Sequence, residues 1–276
     1  MAILRRQRDD GSWRYAAGTS RSRSAMQYDL LETYRALGEL VEKFGLTRRH
    51  PALRQAAEVM LGSQAPDGDL RGIYGAQYSP NYTAGTLELL IKAGYAGDAR
   101  VERSFAWLLE IRQQDGGWAV PLRTRGMNLQ RLGGPTVRPD PSRPFSHLIT
   151  GIVLRAFAAH PRGRRSSAAR RAAGLLGGRL FEADVYPDRS DPEYWTAFSF
   201  PFWFTDLISA LDSLSRVGWS ADDGNVWRAM QWLASRQRPD GLFDLRMLRA
   251  RDRHLPEWLA LAICRVTQRF GLPLPA

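Results

Sequence analysis

A short motif that occurs four times along the chain constrains its fold more than any other feature. Each copy combines a Gln, an Asp-Gly pair and a large apolar residue, in the frame Q-x-x-D-G-x-(W/F/L). The copies are RQRDDGSW at 6–13, SQAPDGDL at 63–70, QQDGGW at 113–118 and RQRPDGLF at 236–243. An Asp-Gly pair after an apolar helical run ends the helix, because Gly adopts the left-handed conformation that closes the last turn. We call each copy a DG turn, and four of them predict a repeat protein.

The size and composition of the chain fit one large globular domain. It has 276 residues, of which 44% are hydrophobic, which is enough for a sizeable core. The single cysteine, Cys264, excludes an internal disulfide bond. No apolar run reaches the roughly 20 residues of a membrane-spanning helix, and no apolar leader follows a basic start. We therefore expect a cytoplasmic protein.

The chain is strongly basic, with a net charge of +11 and a pI of about 10.4. Such a balance favours nucleic acid or an anionic membrane as a partner. The densest cluster, RGRRSSAARR at 162–171, has no interleaved aromatic residues to stack on bases, so we expect no nucleic acid. Peripheral contact with an anionic membrane is one interpretation of the charge. The other is that the arginines lie on solvated helix faces.

Apolar residues at spacings of three and four predict nine full helices. Their ranges are 28–45, 52–64, 80–94, 99–113, 145–159, 165–181, 200–217, 222–237 and 255–270. Residues 2–8 resemble the end of a further helix, so we expect the N-terminal hairpin to be incomplete. The segment 119–144 lacks apolar periodicity and is predicted to be a long loop. The segment 183–195 stands where a fifth DG turn is expected and is interpreted as a degenerate one.

The predicted helices fall into two alternating sets. Helices that follow the DG turns are apolar nearly all round, which indicates burial on every side. A threonine lies near the start of four of them, and Trp258 takes that place in the last helix. These threonines are Thr33, Thr83, Thr150 and Thr205. The other helices are amphipathic and charged, so the alternation predicts two concentric rings.

The repeated turn and the inner-helix threonine resemble the terpenoid cyclase and protein prenyltransferase superfamily, whose members carry prenyltransferase/squalene-oxidase repeats. The resemblance covers essentially the whole chain. It implies an all-α fold, a single α/α toroid over 1–276 with about five to six helical hairpins. It also implies an isoprenoid or other apolar substrate in a central cavity. If the chain is an enzyme, the resemblance implies an isomerase or lyase of the terpenoid cyclase type.

The acid motif of that family is only partly present. Class II cyclases protonate their substrate with D-x-D-D placed just before an inner-helix threonine. Aligned on Thr33, this chain has Asp29 and Glu32, but Leu31 replaces the middle acid that donates the proton. Standard cyclase chemistry is therefore not expected at this position. Asp29 and Glu32 also fit a simpler role, since acids in a first helical turn complement the helix dipole.

A second candidate region combines aromatic residues with acids. Asp188 and Asp191 precede it and Asp206 follows it. Its aromatic residues are Tyr194, Trp195, Phe198, Phe200, Phe202, Trp203 and Phe204. Aromatic faces beside carboxylates suit an apolar substrate that develops positive charge. The alternative is that the aromatic residues fill the core and the acids pair with the surplus arginines.

The remaining candidates lie at the predicted starts of inner helices. His147 is a natural acid or base at neutral pH, and Tyr82 and Trp258 are expected to contact substrate beside it. His147 also fits a helix cap or a hydrogen-bonded core residue. Protein prenyltransferases bind zinc through Asp, Cys and His, but no D-x-C occurs here and the four histidines are widely spaced. We expect no metal and no cofactor.

A non-catalytic alternative stays open. A stack of helical hairpins is also a scaffold on which a partner protein can dock. That interpretation expects a filled centre and an exposed apolar patch.

Overall fold

A computed structural model describes residues 2–15, 27–128, 132–248 and 252–272. Of the described residues, 52% are helical, and they form ten α-helices and little sheet. It forms two compact units, Met1–Pro144 and Phe145–Ala276. The prediction of one toroidal domain over 1–276 stays a prediction.

The first unit consists of two helical hairpins followed by a largely irregular segment. Its helices are α1 (Tyr28–Glu42), α2 (Pro51–Gly62), α3 (Pro80–Leu90), α4 (Ala99–Glu110) and the short α5 (Pro121–Thr124). A π-helical turn, Ile91–Tyr95, extends α3. Helix α1 packs against α2 and α3, and α4 packs against α3. Residues 2–8, expected to end a partial helix, contain one 3-10 turn at Leu4–Arg6.

The second unit contains five helices and one short parallel strand pair. The helices are α6 (His147–Ala159), α7 (Ser167–Gly177), α8 (Leu207–Arg216), α9 (Gly224–Ala234) and α10 (Leu255–Arg269). The strands are β1 (Ala197–Phe198) and β2 (Arg246–Met247), with Ala197 opposite Arg246. Helix α8 packs against α6, α7 and α10. The sequence pattern did not predict the strands.

One predicted helix begins seven residues later than expected. The range 200–217 is helical only from Leu207, because Asp206 caps the helix. Its carboxylate accepts a hydrogen bond from the Ser209 backbone N–H at 2.8 Å, and Ser209 Oγ accepts one from the Asp206 N–H at 2.9 Å. This reciprocal capping box fixes the helix start, so Phe200, Phe202, Trp203 and Phe204 lie outside the helix.

The DG turns have the predicted conformation. The four glycines, Gly11, Gly68, Gly116 and Gly241, have φ values of 86°, 108°, 100° and 80°. A Cβ atom at Gly11 would lie 2.7 Å from Gln55 of α2, and one at Gly68 would lie 2.7 Å from the Arg103 carbonyl of α4. Each of these two turns therefore rests directly on the next amphipathic helix, where only glycine fits.

The glutamines of the first two turns bind the same helices. Gln7 Nε2 donates to the Ala52 carbonyl at 2.8 Å, and Gln64 Nε2 donates to the Arg100 carbonyl at 2.7 Å. The third turn differs, because Gly116 donates to the carbonyl of Gln113, which places Arg112 at the position of the glutamine. The third DG turn therefore does not share the predicted Q-x-x-D-G frame, because its glutamine lies one residue later.

Two of the threonines accept hydrogen bonds from the preceding DG turns. The backbone N–H of Trp13 donates to Thr33 Oγ1, and that of Leu70 donates to Thr83 Oγ1, both at 3.0 Å. The threonine signature thus has a structural role in these two hairpins.

Burial confirms the two helix sets. All but one of the thirteen residues of α6 are buried, as are nine of the eleven in α3. In α2 and α4 only five of twelve are buried. Helix α10 departs from its set, since six of its fifteen residues are buried.

Candidate functional site

The start of α1 is occupied by surface ion pairs. Asp29 is about half exposed, accepts a hydrogen bond from the Tyr15 backbone N–H at 2.9 Å and pairs with Arg8 at 3.1 Å. Glu32 pairs with Arg35 one turn along the helix, at 3.4 Å. Both acids are therefore engaged in ion pairs at or near the surface.

Tyr82 belongs to a cluster of three tyrosines in the first unit. Its ring meets those of Tyr74 and Tyr34 edge to face, with centroids 4.9 and 5.8 Å away. Burial raises the pKa of Tyr82 above the ordinary tyrosine value, with the neighbouring tyrosines adding to the shift. The Tyr82 phenol therefore keeps its proton at neutral pH.

Asp69 is a buried acid that sequence reasoning missed. It follows the glycine of the second DG turn, is fully buried, and accepts a hydrogen bond from Thr83 Oγ1 at 2.6 Å. Burial raises the pKa of Asp69 to about 6, against the lowering effect of Thr83 and Arg71. An acid at this position, where the first turn has Ser12, was the signal in the sequence.

His147 lies in the second unit as a buried, stacked side chain. Its ring stacks on Trp195 at a centroid distance of 4.6 Å, and its Nδ1 lies 3.4 Å from an Asp184 carboxylate oxygen. Asp184 also accepts hydrogen bonds from Ser146 Oγ and the Leu148 backbone N–H, at 2.8 and 3.0 Å. Burial lowers the pKa of His147, while Asp184 acts in the opposite direction. The imidazole is therefore neutral at neutral pH.

Trp195 also stands in for the tryptophan of a DG turn. Its indole N–H donates to the Glu182 carbonyl at 2.9 Å, as those of Trp13 and Trp118 donate to the carbonyls of Ile3 and Leu108 at 2.9 and 2.7 Å. This shared bond supports the interpretation of 183–195 as a degenerate turn.

The aromatic residues between 194 and 204 divide into separate groups. Phe200 meets Phe202 edge to face at 5.4 Å and stacks on Trp258 at 5.8 Å. Phe198 is fully buried against Trp232, at 6.1 Å. We call Phe200, Phe202 and Trp258 the aromatic cluster, because the structure joins these three predicted residues.

The other predicted residues of this region lie apart from the aromatic cluster. The guanidinium of Arg189 lies over the rings of Tyr194 and Phe204, at 4.8 and 3.5 Å. Asp191 is exposed and caps the 3-10 helix Pro192–Thr196. Asp188 and Trp203 are partly exposed.

Asp206 is the most unusual acid of the second unit. Asp206 is only 1% exposed. Burial raises the pKa of its carboxyl to about 7, although hydrogen bonds from Ser209 and Ser199 and the charge of Arg155 act to lower it. Arg155 is itself buried in α6 and donates to the Phe204 carbonyl at 2.9 Å. Because Ser199 directly precedes Phe200, the Asp206 carboxyl lies next to the chain that forms the aromatic cluster. An arginine in the middle of an apolar helix was the overlooked signal for Arg155.

A polar cleft of about 640 Å³ lies on the first unit. It is lined by Asp10, Arg48, Arg54, Gln55, Glu58 and Tyr95. These charged side chains suit a polar ligand rather than an apolar chain.

The described residues contain neither a candidate metal site nor a candidate membrane span. No three His, Cys, Asp or Glu side chains there lie together in a way that could hold a metal ion. No helix in the same residues combines the length and apolarity needed to cross a membrane.

Comparison with solved structures finds a terpene cyclase-like fold. The apo structure of the type II terpene cyclase MstE from Scytonema matches with a TM-score of 0.58 and 16% identity, over 97% of this chain and 70% of that one. A variant of MstE in complex with its substrate, geranylgeranyl dihydroxybenzoate, matches with a TM-score of 0.54 and 17% identity, over 98% and 72%. A polysaccharide lyase matches with a TM-score of 0.51 and 13% identity, over 95% and 79%.

Sequence comparison adds no closer relationship. No protein-family model matches the chain, and none of the curated proteins does. At these identities the likeness concerns the fold alone, and the same fold carries a terpene cyclase and a polysaccharide lyase. The fold by itself therefore does not determine the function, which depends on the residues of the site.

Proposed function

We propose that the chain is a terpene cyclase-like protein that binds an isoprenoid or another apolar chain against its aromatic cluster. The observation that carries this proposal is Asp206, a buried acid that accepts a hydrogen bond from the backbone of Ser199, the residue before Phe200 of the aromatic cluster. Aromatic faces shield developing positive charge, and an acid with a pKa of about 7 carries its proton in a large fraction of molecules at neutral pH.

The proposed chemistry is acid-initiated cyclisation or elimination without the full D-x-D-D motif. Asp206 would give its proton to the substrate, and the resulting carboxylate would be stabilised by the Ser199 and Ser209 N–H groups and by the Arg155 charge. The cation formed on the substrate would lie against the aromatic cluster. Asp29 and Glu32 are weaker candidates, because each is held in an ion pair with an arginine and neither is buried. The α/α toroid with a central cavity stays a prediction from the resemblance.

Native mass spectrometry tests the binding step. The purified protein is incubated with a lipid extract and, separately, with geranylgeranyl dihydroxybenzoate as a defined isoprenoid. We expect a discrete adduct with the wild type and a much weaker one with Trp258→Ala. Phe44→Ala is the matched control, since this exposed aromatic residue lies in the first unit, outside the cluster. An absence of adducts at saturation would contradict isoprenoid binding and favour the alternative, a non-catalytic scaffold for a protein partner.

Reaction in deuterium oxide tests the proton transfer. A product of protonation by Asp206 carries one deuterium from the solvent, which mass spectrometry detects as a gain of about one mass unit. We expect Asp206→Asn to bind the isoprenoid but to form no product, whereas Asp29→Asn retains activity. Loss of activity in Asp29→Asn alone would contradict the assignment of Asp206.

Peripheral contact with an anionic membrane is a further part of the proposal. An apolar substrate partitions into membranes, so a surface that holds the protein at a bilayer would raise the concentration of substrate near its site. The strong positive charge of the chain supports this partner.

A further inference from the structure

Helix α7 and the 3-10 turn before it, Gly163–Arg165, differ from the other amphipathic helices in charge. Residues 160–181 contain six arginines and no Asp or Glu. Helix α4, by contrast, carries Glu102 and Glu110 beside its arginines. The segment 160–181 therefore carries an excess of positive charge.

The structure places five of these arginines on the surface. They are Arg162, Arg164, Arg165, Arg170 and Arg171, and all are exposed. Helix α7 turns its alanines and Leu176 into the core, which leaves Arg170 and Arg171 on the opposite side. The cationic surface is thus a built feature of the amphipathic helix rather than a disordered tail.

Two acids on the elements packed against α7 are already bonded to other groups. Helix α6 contains no acid. The Asp212 carboxylate of α8 is 9% exposed and bonded to Arg216 and Arg269. At the start of α9, Asp223 accepts hydrogen bonds from the Trp219 indole and the helix N-terminus.

An exposed tryptophan lies on the helix next to α7. Trp219 packs against Gly174 of α7 and bonds to the capping residue of α9, and Arg228 of α9 donates to the Leu180 carbonyl at 2.9 Å. These contacts fix α9 beside α7. Trp227 of α9 is 50% exposed, and tryptophan is the residue that favours the interface between lipid headgroups and acyl chains.

We infer that α7, the 3-10 turn before it and Trp227 form a docking surface for an anionic lipid membrane. We call these residues the α7 surface. The arginines attract acidic headgroups, and Trp227 inserts at the interface. A membrane fits better than a nucleic acid because the arginine run holds no aromatic residue that could stack on bases. The inference deepens the membrane part of the proposed function and does not depend on isoprenoid binding.

Vesicle sedimentation tests the inference with the full chain. The wild type is expected to bind phosphatidylcholine vesicles that contain phosphatidylglycerol and to leave pure phosphatidylcholine vesicles in solution. Binding should weaken steeply in about 0.5 M salt, because salt screens exposed charges. Equal binding to both kinds of vesicle would overturn the inference.

A matched pair of triple variants locates the surface. The variant with Arg164→Gln, Arg165→Gln and Arg170→Gln should bind roughly 100-fold more weakly, at about fivefold for each charge near the bilayer. The control with Arg6→Gln, Arg49→Gln and Arg103→Gln loses the same charge from exposed positions in the first unit. The vesicle affinity of this control should fall by less than about threefold, since salt screens charges that lie far from the docking surface. Equal losses in the two variants would overturn the assignment to α7.

Two additional measurements separate the explanations. Trp227→Phe should retain most vesicle binding and Trp227→Ala should lose part of it, with thermal melting showing that both fold. Tighter binding to duplex DNA than to acidic vesicles at the same salt would overturn the choice of a membrane. Vesicle binding without any isoprenoid adduct in native mass spectrometry would sink the isoprenoid proposal and leave the α7 surface standing.

Discussion

The starts of α1 and α8 each carry an aspartate, but the two acids have opposite surroundings. Asp29 of α1 is half exposed, pairs with Arg8 and accepts a hydrogen bond from a neighbouring backbone N–H. Asp206 of α8 is fully buried, and burial raises its pKa to about 7. The aspartate that best matches a known motif is therefore the one at the surface. Burial, rather than position in a motif, makes an acid suited to hold a proton at neutral pH.

The largest effect is expected where a buried tryptophan supports the second unit. Trp195→Ala removes the stack on His147 and the bond to Glu182, and should lower the free energy of unfolding by about 3–5 kcal/mol. Trp203→Ala is the matched control, because Trp203 is partly exposed and should cost clearly less. Chemical denaturation measures both, and equal losses would contradict a structural role of Trp195 in the degenerate turn.

The comparison of the two aspartates predicts a smaller difference in stability. Asp206→Ala removes a helix cap and leaves the Ser199 and Ser209 N–H groups without their acceptor, so it should cost about 2–3 kcal/mol near pH 6. Asp29→Ala breaks an exposed pair and should cost less than about 1 kcal/mol. If the two variants unfold at the same denaturant concentration, the difference in burial has no energetic consequence and the comparison fails.

The pH dependence of stability provides a second test of the difference between Asp206 and Asp29. Since the pKa of Asp206 is higher in the folded chain than in the unfolded one, the folded state holds an extra proton between about pH 4 and pH 7. The contribution of Asp206 therefore favours folding at low pH and is lost as the pH rises through about 7. Relative to the wild type, Asp206→Asn should gain stability across this window, by at most about 1.4 kcal/mol per pH unit.

Asp69 acts in the same direction up to about pH 6, so the difference between variant and wild type is the informative quantity. Melting curves from pH 4 to pH 8 measure it, with Asp29→Asn as the control. Curves for wild type and Asp206→Asn that run parallel would show that Asp206 does not titrate in this range.

The smallest effect concerns the second acid at the start of α1. Glu32→Gln breaks the pair with Arg35, in which both side chains are about a quarter exposed. Such pairs contribute between about 0 and 1 kcal/mol, so stability should change by less than about 1 kcal/mol at neutral pH. A larger loss in thermal unfolding would show that Glu32 has a role beyond this ion pair.

The fold was more predictable from the sequence than the site. The left-handed glycines of the DG turns and most helix boundaries follow from local rules, because turn residues and apolar spacing act over a few neighbours. The start of α8 was missed, since the capping box of Asp206 and Ser209 competes with an aromatic run that looks helical. Asp69 and Arg155 stand at unusual positions in the sequence, but their burial was not predictable, because burial depends on contacts between residues far apart in the chain.

The contacts of the aromatic residues were also not predictable from the sequence. Phe198, Phe200 and Trp195 are close neighbours in sequence, yet the structure directs them to Trp232, Trp258 and His147 respectively. A run of aromatic letters predicts apolar surroundings but not which of its members share a surface. Only the three-dimensional contacts show that, of the seven aromatic residues between 194 and 204, Phe200 and Phe202 form a cluster with Trp258.

Photochemical cross-linking tests whether the aromatic cluster binds an isoprenoid. The wild type is incubated with a geranylgeranyl probe that carries a photoreactive group, irradiated and digested, and the labelled peptides are identified by mass spectrometry. The account predicts label in the peptides that contain Phe200, Phe202 or Trp258, with competition by unlabelled geranylgeranyl dihydroxybenzoate. Label confined to the exposed helix faces, or label that excess ligand does not displace, would contradict the aromatic cluster as the binding site.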